Sequence, residues 1–220
     1  MKKSVLKSPA ASRQPSQSRS RETVRAIVDA CHKIMLEEGS EAVTTNHIAE
    51  VAGVNIASLY RWFPNKEAVI SEIFEAQIER EIHEVVGLYE AFEARGGRDV
   101  FEALELVVEP LINRQIRFLS LHACFYRDQR PKLDVGRRKF GGREKTLIDE
   151  AAHWLAGLVR QRCPAMSVAA AELVAFHCVH SAAGICQAAV DRPELLHSAD
   201  FRDELYFMLR SYLRARMSSA

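Results

Sequence analysis

Between Thr44 and Lys66 the chain reads TTNHIAEVAGVNIASLYRWFPNK, and this stretch leaves little choice of local structure. Ile48, Ala49 and Ala52 fall three and four apart, which puts them on one face of a helix starting near Asn46. Thr44 or Thr45 can cap that helix with a side-chain oxygen, although no Glu or Gln follows three residues later to complete a capping box. Gly53 then supplies left-handed backbone at the helix end, where a Cβ would be costly. Asn55 is placed to cap a second helix, along which Ile56, Leu59 and Phe63 recur at three and four. Pro64 stops it, having no N–H and disfavouring helical backbone at the residue before it. Asn65 can cap the next helix, with Lys66 and Glu67 in its first turn. Two short helices joined through a Gly-containing turn are either a packed helical hairpin or a helix-turn-helix, whose second helix enters the DNA major groove.

The residue identities favour the second. Thr44-Thr45, Ile48-Ala49, Ala52-Gly53-Val54, Ser58-Leu59-Tyr60, Phe63 and Lys66-Glu67 follow one another without a gap over about twenty positions. In this the stretch closely resembles the DNA-binding segment of the tetracycline-repressor (TetR) family. The resemblance implies an all-α chain with an N-terminal three-helix DNA-binding domain and a larger helical domain for ligand binding and dimerisation. It also implies DNA contact by Thr45, Asn46, Asn55, Ile56, Ala57, Ser58, Tyr60 and Lys66. Residue chemistry agrees for several of these. Lys66 at a helix N-terminus stands beside free N–H groups, and both suit a phosphate. The Tyr60 hydroxyl can reach a backbone oxygen, and Arg61 can reach phosphate or guanine. Tyr60 also shares a face with Ile56 and Phe63, so a place in the core is the competing reading. Ile56 and Ala57 cannot hydrogen-bond a base and can touch only thymine methyls, which leaves base discrimination to Asn46, Asn55, Ser58 and Arg61.

Charge is distributed in keeping with such a reader. The 220 residues carry a net charge of +1, yet residues 1–25 hold Lys2, Lys3, Lys7, Arg13, Arg19, Arg21 and Arg25 against Glu22 alone. That is a surplus of six, so the remainder is near −5. A basic arm ahead of a DNA-reading segment favours attraction to phosphate. Residues 1–18, rich in Ser, Lys, Arg and Pro, have little to bury and are expected to be a disordered basic arm. The DNA-binding domain is expected over residues 19–66, with Ser20 capping its first helix, a stripe of Val24, Ile27, Val28, Cys31, Ile34 and Met35, and Gly39 at its end.

Residues 67–220 are expected to form the second domain. A long helix carries Val69, Ile70, Ile73, Phe74, Ile78, Ile82, Val85, Val86 and Tyr89, and Arg95-Gly96-Gly97 turns the chain. Asp99 can cap the next helix, in which Pro110 predicts a kink near Glu109, followed by a piece holding Phe118, Leu121, Cys124 and Phe125. Beyond the basic Arg137-Arg138-Lys139, a helix is expected to begin near Gly141-Gly142 and to carry Leu147, Ile148, Ala151, Leu155, Leu158 and Val159. Ser167 caps a helix apolar nearly all round, reaching about Val190, and a final helix from about Asp200 carries Phe201, Leu205, Phe207, Met208, Leu209, Tyr212 and Leu213. No strand pattern and no internal repeat is found. The TetR resemblance implies that these last two helices pair with those of a second subunit. The alternative is that both simply fill the core of one chain.

For the small-molecule effector that the resemblance implies, the candidate pocket residues are His122, Tyr126, His153, Trp154 and His177, each with a polar tip on an apolar body. His177 and His180, at i and i+3, lack further ligands nearby in sequence, so no metal and no cofactor is expected. Five cysteines, odd in number and without a CxxC pair, read as reduced and buried thiols. No apolar run approaches the ~20 residues of a membrane span, and no signal peptide is recognisable, so the expected location is the cytoplasm. The expected partners are therefore double-stranded operator DNA, a second copy of the chain and an unknown effector. The competing classes are an architectural DNA-binding protein without effector, or an all-helical enzyme. For the latter the chain offers no Gly-rich phosphate loop, HExxH or GxSxG.

Overall fold

The computed structural model describes residues 14–133 and 146–219. Among them it contains helices and no strand, as the periodicity requires. The chain divides into two compact units, Met1–Ile73 and Phe74–Ala220. The disorder expected of residues 1–13 and the expected start near Gly141-Gly142 lie outside the described residues.

The first unit begins with α1 (Gln14–Glu37). This helix starts well ahead of Ser20, and residues 14–18, expected to be disordered, belong to it. Pro15 falls in its first turn, where a missing N–H costs nothing, and no further Pro or Gly interrupts the chain before Gly39. Ile27, Ala30, Cys31, Ile34 and Met35 are buried. A 3₁₀ turn over Ser40–Ala42 leads to α2 (Thr45–Val51) and α3 (Ile56–Trp62), and α1 packs on both. Helix α4 (Lys66–Ala94) follows, with Val69, Ile70, Ile73, Phe74, Ile78, Ile82 and Val85 buried along its stripe.

The second unit is built around α5 (Val100–Gln129), α6 (Leu147–Arg162), α7 (Val168–Ala188) and α9 (Ala199–Ser218), with a single turn, α8 (Pro193–Leu196), between the last two. Asp99, Thr146 and Ser167 cap α5, α6 and α7 through side-chain oxygens. One core joins Val107, Val108 and Ile112 of α5 to Leu155 and Val159 of α6, Val174 and Val179 of α7, and Leu205, Leu209 and Leu213 of α9. Each such side chain contributes roughly 1.5–3 kcal/mol on burial. Phe74, Phe118, Phe125 and Tyr126 form an aromatic cluster, Phe74 and Phe118 meeting edge to face at 5.1 Å.

Three expectations are corrected here. Helix α5 does not break near Glu109: its non-helical residue is His122, at φ −162 and ψ 88. Proline at 110 frees the carbonyl of Leu106, but both residues line a surface recess where solvent can satisfy it. At His122 the imidazole Nδ1 accepts from Phe125 N at 3.3 Å and so caps the terminal piece of the helix. Second, not every cysteine is buried. Cys31, Cys178 and Cys186 are, and burial pushes each thiol up to about 12. Cys163 is half-buried, and Cys124 is exposed because it falls off the stripe set by Phe118 and Phe125, two turns apart. Third, one helical segment, Val168–Asp191, has the length and apolarity of a membrane span, contrary to the sequence reading. Seven of its side chains, from Ala171 to Cys186, face the core of the second unit.

The turn between α4 and α5 depends on Gly97. A Cβ there would lie 2.7 Å from two ring carbons and the carbonyl oxygen of Phe92, itself 1% exposed. Gly97→Ala is therefore expected to destabilise the protein by about 1–3 kcal/mol through overpacking, read as a lower midpoint in urea with an unchanged slope.

Candidate nucleic-acid interface and ligand cavity

In the first unit, local bonds fix α2 and α3 against each other. Thr44 Oγ1 accepts from His47 N at 3.1 Å and so is the cap of α2. Gly53, at φ 65, donates to Glu50 O, and Val54 N donates to Ala49 O, closing the turn. Asn55 Oδ1 accepts from Ala57 N at 2.8 Å and caps α3, while Asn65 Oδ1 accepts from Ala68 N at 2.9 Å and caps α4. Ile48, Ala49, Leu59 and Phe63 are buried between the helices.

This packing decides what faces outward. Asn46, Asn55, Ala57, Tyr60 and Arg61 are exposed, and Thr45, Ile56, Ser58 and Lys66 are half-buried. Tyr60 is 52% exposed and therefore no core aromatic, even though it shares a face with Phe63. Its hydroxyl lies 3.1 Å from Thr45 Oγ1, so a hydrogen bond ties α3 to the first turn of α2. The Arg61 guanidinium lies 5.6 Å from the ring of Trp62, which is also exposed. Lys66 Nζ donates to the carbonyl of Val43 at 3.1 Å, which occupies one of its three N–H groups and holds the lysine beside the start of α4.

Two residues here, exposed Trp62 and half-buried His47, were absent from the sequence-derived set. Trp62 lies off the Ile56/Leu59/Phe63 stripe, a position that foretells exposure. His47 bonds Glu38 through Nε2 at 3.0 Å and lies 3.9 Å from Glu50. Its pKa is raised above the ordinary imidazole value, chiefly by the hydrogen bond it donates to Glu38 and further by the charges of Glu38 and Glu50.

In the second unit the five candidate pocket residues do not converge. His122 caps the end of α5, and His153 is exposed, 3.8 Å from Glu172. The Trp154 indole N–H donates to Glu93 at 2.8 Å, and its ring stacks on Tyr89 at 4.3 Å. Tyr126 is buried and donates to Gln115, while exposed His177 meets the Tyr212 hydroxyl through Nδ1 at 3.1 Å. A cavity of about 360 Å³ opens elsewhere, lined by Arg114, Gln115, Asp149, His180, Gln187 and the apolar Leu111, Ile148 and Ala183. The sequence signal for it was polar residues interrupting an apolar stripe, Arg114-Gln115 between Ile112 and Ile116. Among the described residues no group of three or more His, Cys, Asp or Glu could hold a metal ion. His177 and His180 turn to different partners, Tyr212 and Asp149.

Comparison with known proteins agrees with this geometry. Residues 27–73 match the family described as bacterial regulatory proteins, tetR family, and residues 102–213 match the tetracyclin repressor-like C-terminal domain. The chain belongs to the TetR family of DNA-binding transcriptional regulators. Its relatives include an uncharacterized HTH-type transcriptional regulator, YdeS, of Bacillus subtilis, 46% identical over 52 residues, or 24% of this chain and 26% of the relative. The nucleoid occlusion factor SlmA of Haemophilus ducreyi is 30% identical over 119 residues, 51% of this chain and 56% of that protein. The chain thus spans about a quarter and about half of the lengths of these two relatives. Similar solved structures include a TetR-family transcriptional regulator from Streptomyces coelicolor, with 23% identity, 90% and 98% of the chains covered and a TM-score of 0.49. Another is FadR from Bacillus subtilis in complex with stearoyl-CoA, with 19% identity, 89% and 98% covered and a TM-score of 0.41.

The His47–Glu38 bond makes the first unit sensitive to pH. Because folding raises the pKa of His47, its stabilisation is fully present below the unfolded imidazole value and is lost as pH rises through the folded one. An NMR titration should find His47 titrating above the ordinary histidine range, and Glu38→Gln should bring it down. An unshifted His47 in the wild type would contradict the bond.

Proposed function

We propose that this TetR-family chain is a ligand-responsive repressor, acting in the cytoplasm as a homodimer on a near-palindromic operator. The observation that carries the reading is the pairing, in one chain, of an outward-facing reader helix with a cavity of about 360 Å³ in the second unit. That volume lies in the range of small-molecule sites, roughly 300–1,000 Å³. In this scheme Thr45, Asn46, Asn55, Ile56, Ala57, Ser58, Tyr60, Arg61 and Lys66 meet the DNA. Phosphate contacts set the register, and Asn46, Asn55 and Ser58 read bases with help from apolar contact by Ile56 and Ala57. An effector releases the DNA only if it binds the non-operator state more tightly than the operator state.

Dimerisation through α7 and α9 is supported by their outer faces. Leu173 and Phe176 on α7 and Phe207 and Met208 on α9 are exposed, with Ser181, Gly184 and Ser211 also exposed and small enough to let two helices approach. Leu209 turns the other way, 2% exposed in the core, so the apolar final helix serves both readings of the sequence at once. An architectural role without effector is the second reading, favoured by the likeness to a nucleoid occlusion factor. It gives no use for the cavity.

Two measurements test the proposal. Lys66→Ala should weaken binding to all DNA sequences alike and flatten the salt dependence by about one unit of slope, measured by fluorescence anisotropy. Unchanged affinity in a folded variant would remove Lys66 from the phosphate set. Phe207→Glu, at a side chain 70% exposed, should give folded monomers that bind operator weakly. Sedimentation showing the wild-type chain as a monomer at micromolar concentration would defeat the dimer.

A further inference from the structure

The buried charges beside the cavity do not balance. Glu81, on α4 and 3% exposed, accepts from Arg114 Nε at 3.2 Å and from Arg117 Nε at 3.0 Å. Two guanidinium groups thus share one carboxylate. The Arg117 side chain is 44% exposed, so water can solvate its charge. Arg114 is only 8% exposed, and what solvent its terminal amino groups meet lies in the cavity. It gives its Nε edge to Glu81, and its two terminal amino groups meet no acceptor among the described residues. Arg114 also lines the cavity. Four of its five N–H donors therefore lack a protein acceptor, and a guanidinium so deeply set favours an acceptor beside them.

The rest of the lining narrows what that partner is. Gln115 is already engaged, accepting from the Tyr126 hydroxyl and donating to Gln187 Oε1 at 3.5 Å. That leaves the side-chain amide nitrogen of Gln187 as a second donor on the same wall. Asp149 is the one acid of the lining; its carboxylate accepts from the Thr146 hydroxyl at 2.6 Å and lies 3.3 Å from His180 Nε2. That same His180 nitrogen is buried and makes no hydrogen bond of proper geometry. Leu111, Ile148 and Ala183 supply apolar wall between these polar groups. A smaller apolar recess of about 20 Å³ shares Leu111, Arg114 and Ile148 with the cavity.

We infer that the cavity binds a small organic carboxylate, its two oxygens on the terminal amino groups of Arg114 and its apolar body against Leu111, Ile148 and Ala183. The planar fork of arginine matches a carboxylate through two parallel N–H donors, which a neutral amide or alcohol cannot use equally. Seated there, the anion brings the Glu81–Arg114–Arg117 group close to neutrality. This inference rests on the effector reading of the same cavity and adds the chemical class of the effector.

Isothermal titration of the full chain with hexanoate, benzoate and phenylacetate, each against its primary amide, tests it. At least one acid should bind, with its amide weaker by roughly ten- to a hundredfold, the worth of a hydrogen bond to a charged group. Arg114→Gln should erase that difference, and Arg114→Lys should retain a preference for the acid. Because Arg114→Gln also disturbs Glu81, Gln187→Leu provides an independent variant: it should weaken the acid while leaving the Glu81 group intact. Ala183→Phe should fill the cavity and abolish binding of both series. Equal affinity of acid and amide, blocked by Ala183→Phe, would overturn the carboxylate and leave the effector reading standing. A preference for the acid that persists in folded Arg114→Gln, or acid binding that persists in Ala183→Phe, would overturn the assignment of the site. Failure of every acid to bind at millimolar concentration would overturn it as well.

Discussion

Two helices of seven residues each, α2 and α3, cannot persist alone in water, because the cost of nucleation is not recovered over so short a length. Everything in the first unit follows from how that deficit is met. Side-chain caps at Thr44 and Asn55 satisfy N–H groups that a short helix leaves orphaned in high proportion. The left-handed Gly53 lets the chain reverse within three residues, so that Ile48 and Leu59 bury each other's flanks against α1. Once those apolar faces are committed inward, the outward display is fixed without further choice. Tyr60 and Arg61 have nowhere to go but solvent.

The second unit solves a different problem, that of charge inside a helical core. Glu81, Arg114 and Gln115 are its buried polar residues among those described, and they lie on two helices that also carry its apolar stripes. Such groups add little net stability compared with apolar replacements of the same shape. Their presence next to a cavity is more readily understood as recognition than as reinforcement, and the Gln115–Tyr126 and Gln115–Gln187 bonds hold that wall in one arrangement.

What the sequence disclosed, and what it hid, follows from the range of the interactions concerned. The local structure of the helix-turn-helix was legible almost residue by residue because its determinants are local: a cap, a positive φ, a proline, an i/i+3/i+4 stripe. The helices of the second unit were legible for the same reason, down to the caps at Asp99 and Ser167. The cavity was not. Its walls come from residues 111 to 187 on three helices, and side-chain type alone drew attention to His122, Tyr126, His153, Trp154 and His177; of these only Tyr126 touches the wall, through Gln115, and the others find partners elsewhere. Arg114 looked like one more charge on a long helix, and only burial reveals it as unusual. Pro110 misled in the opposite sense, since its penalty depends on whether the freed carbonyl can reach solvent.

The interruption at His122 has a consequence for how the molecule comes apart. A continuous thirty-residue helix would open by fraying from its ends, each lost residue exposing the next. Pro110 costs the ladder one bond, but only at His122 does the backbone leave helical geometry, so α5 becomes two helices in series, and the terminal one is too short to hold itself together. Its order is lent by Phe125 and Tyr126, clasped by Phe74 and Phe118. Amide exchange in that last stretch should therefore report the grip of an aromatic cluster rather than the length of a helix, and should proceed as one event instead of in steps.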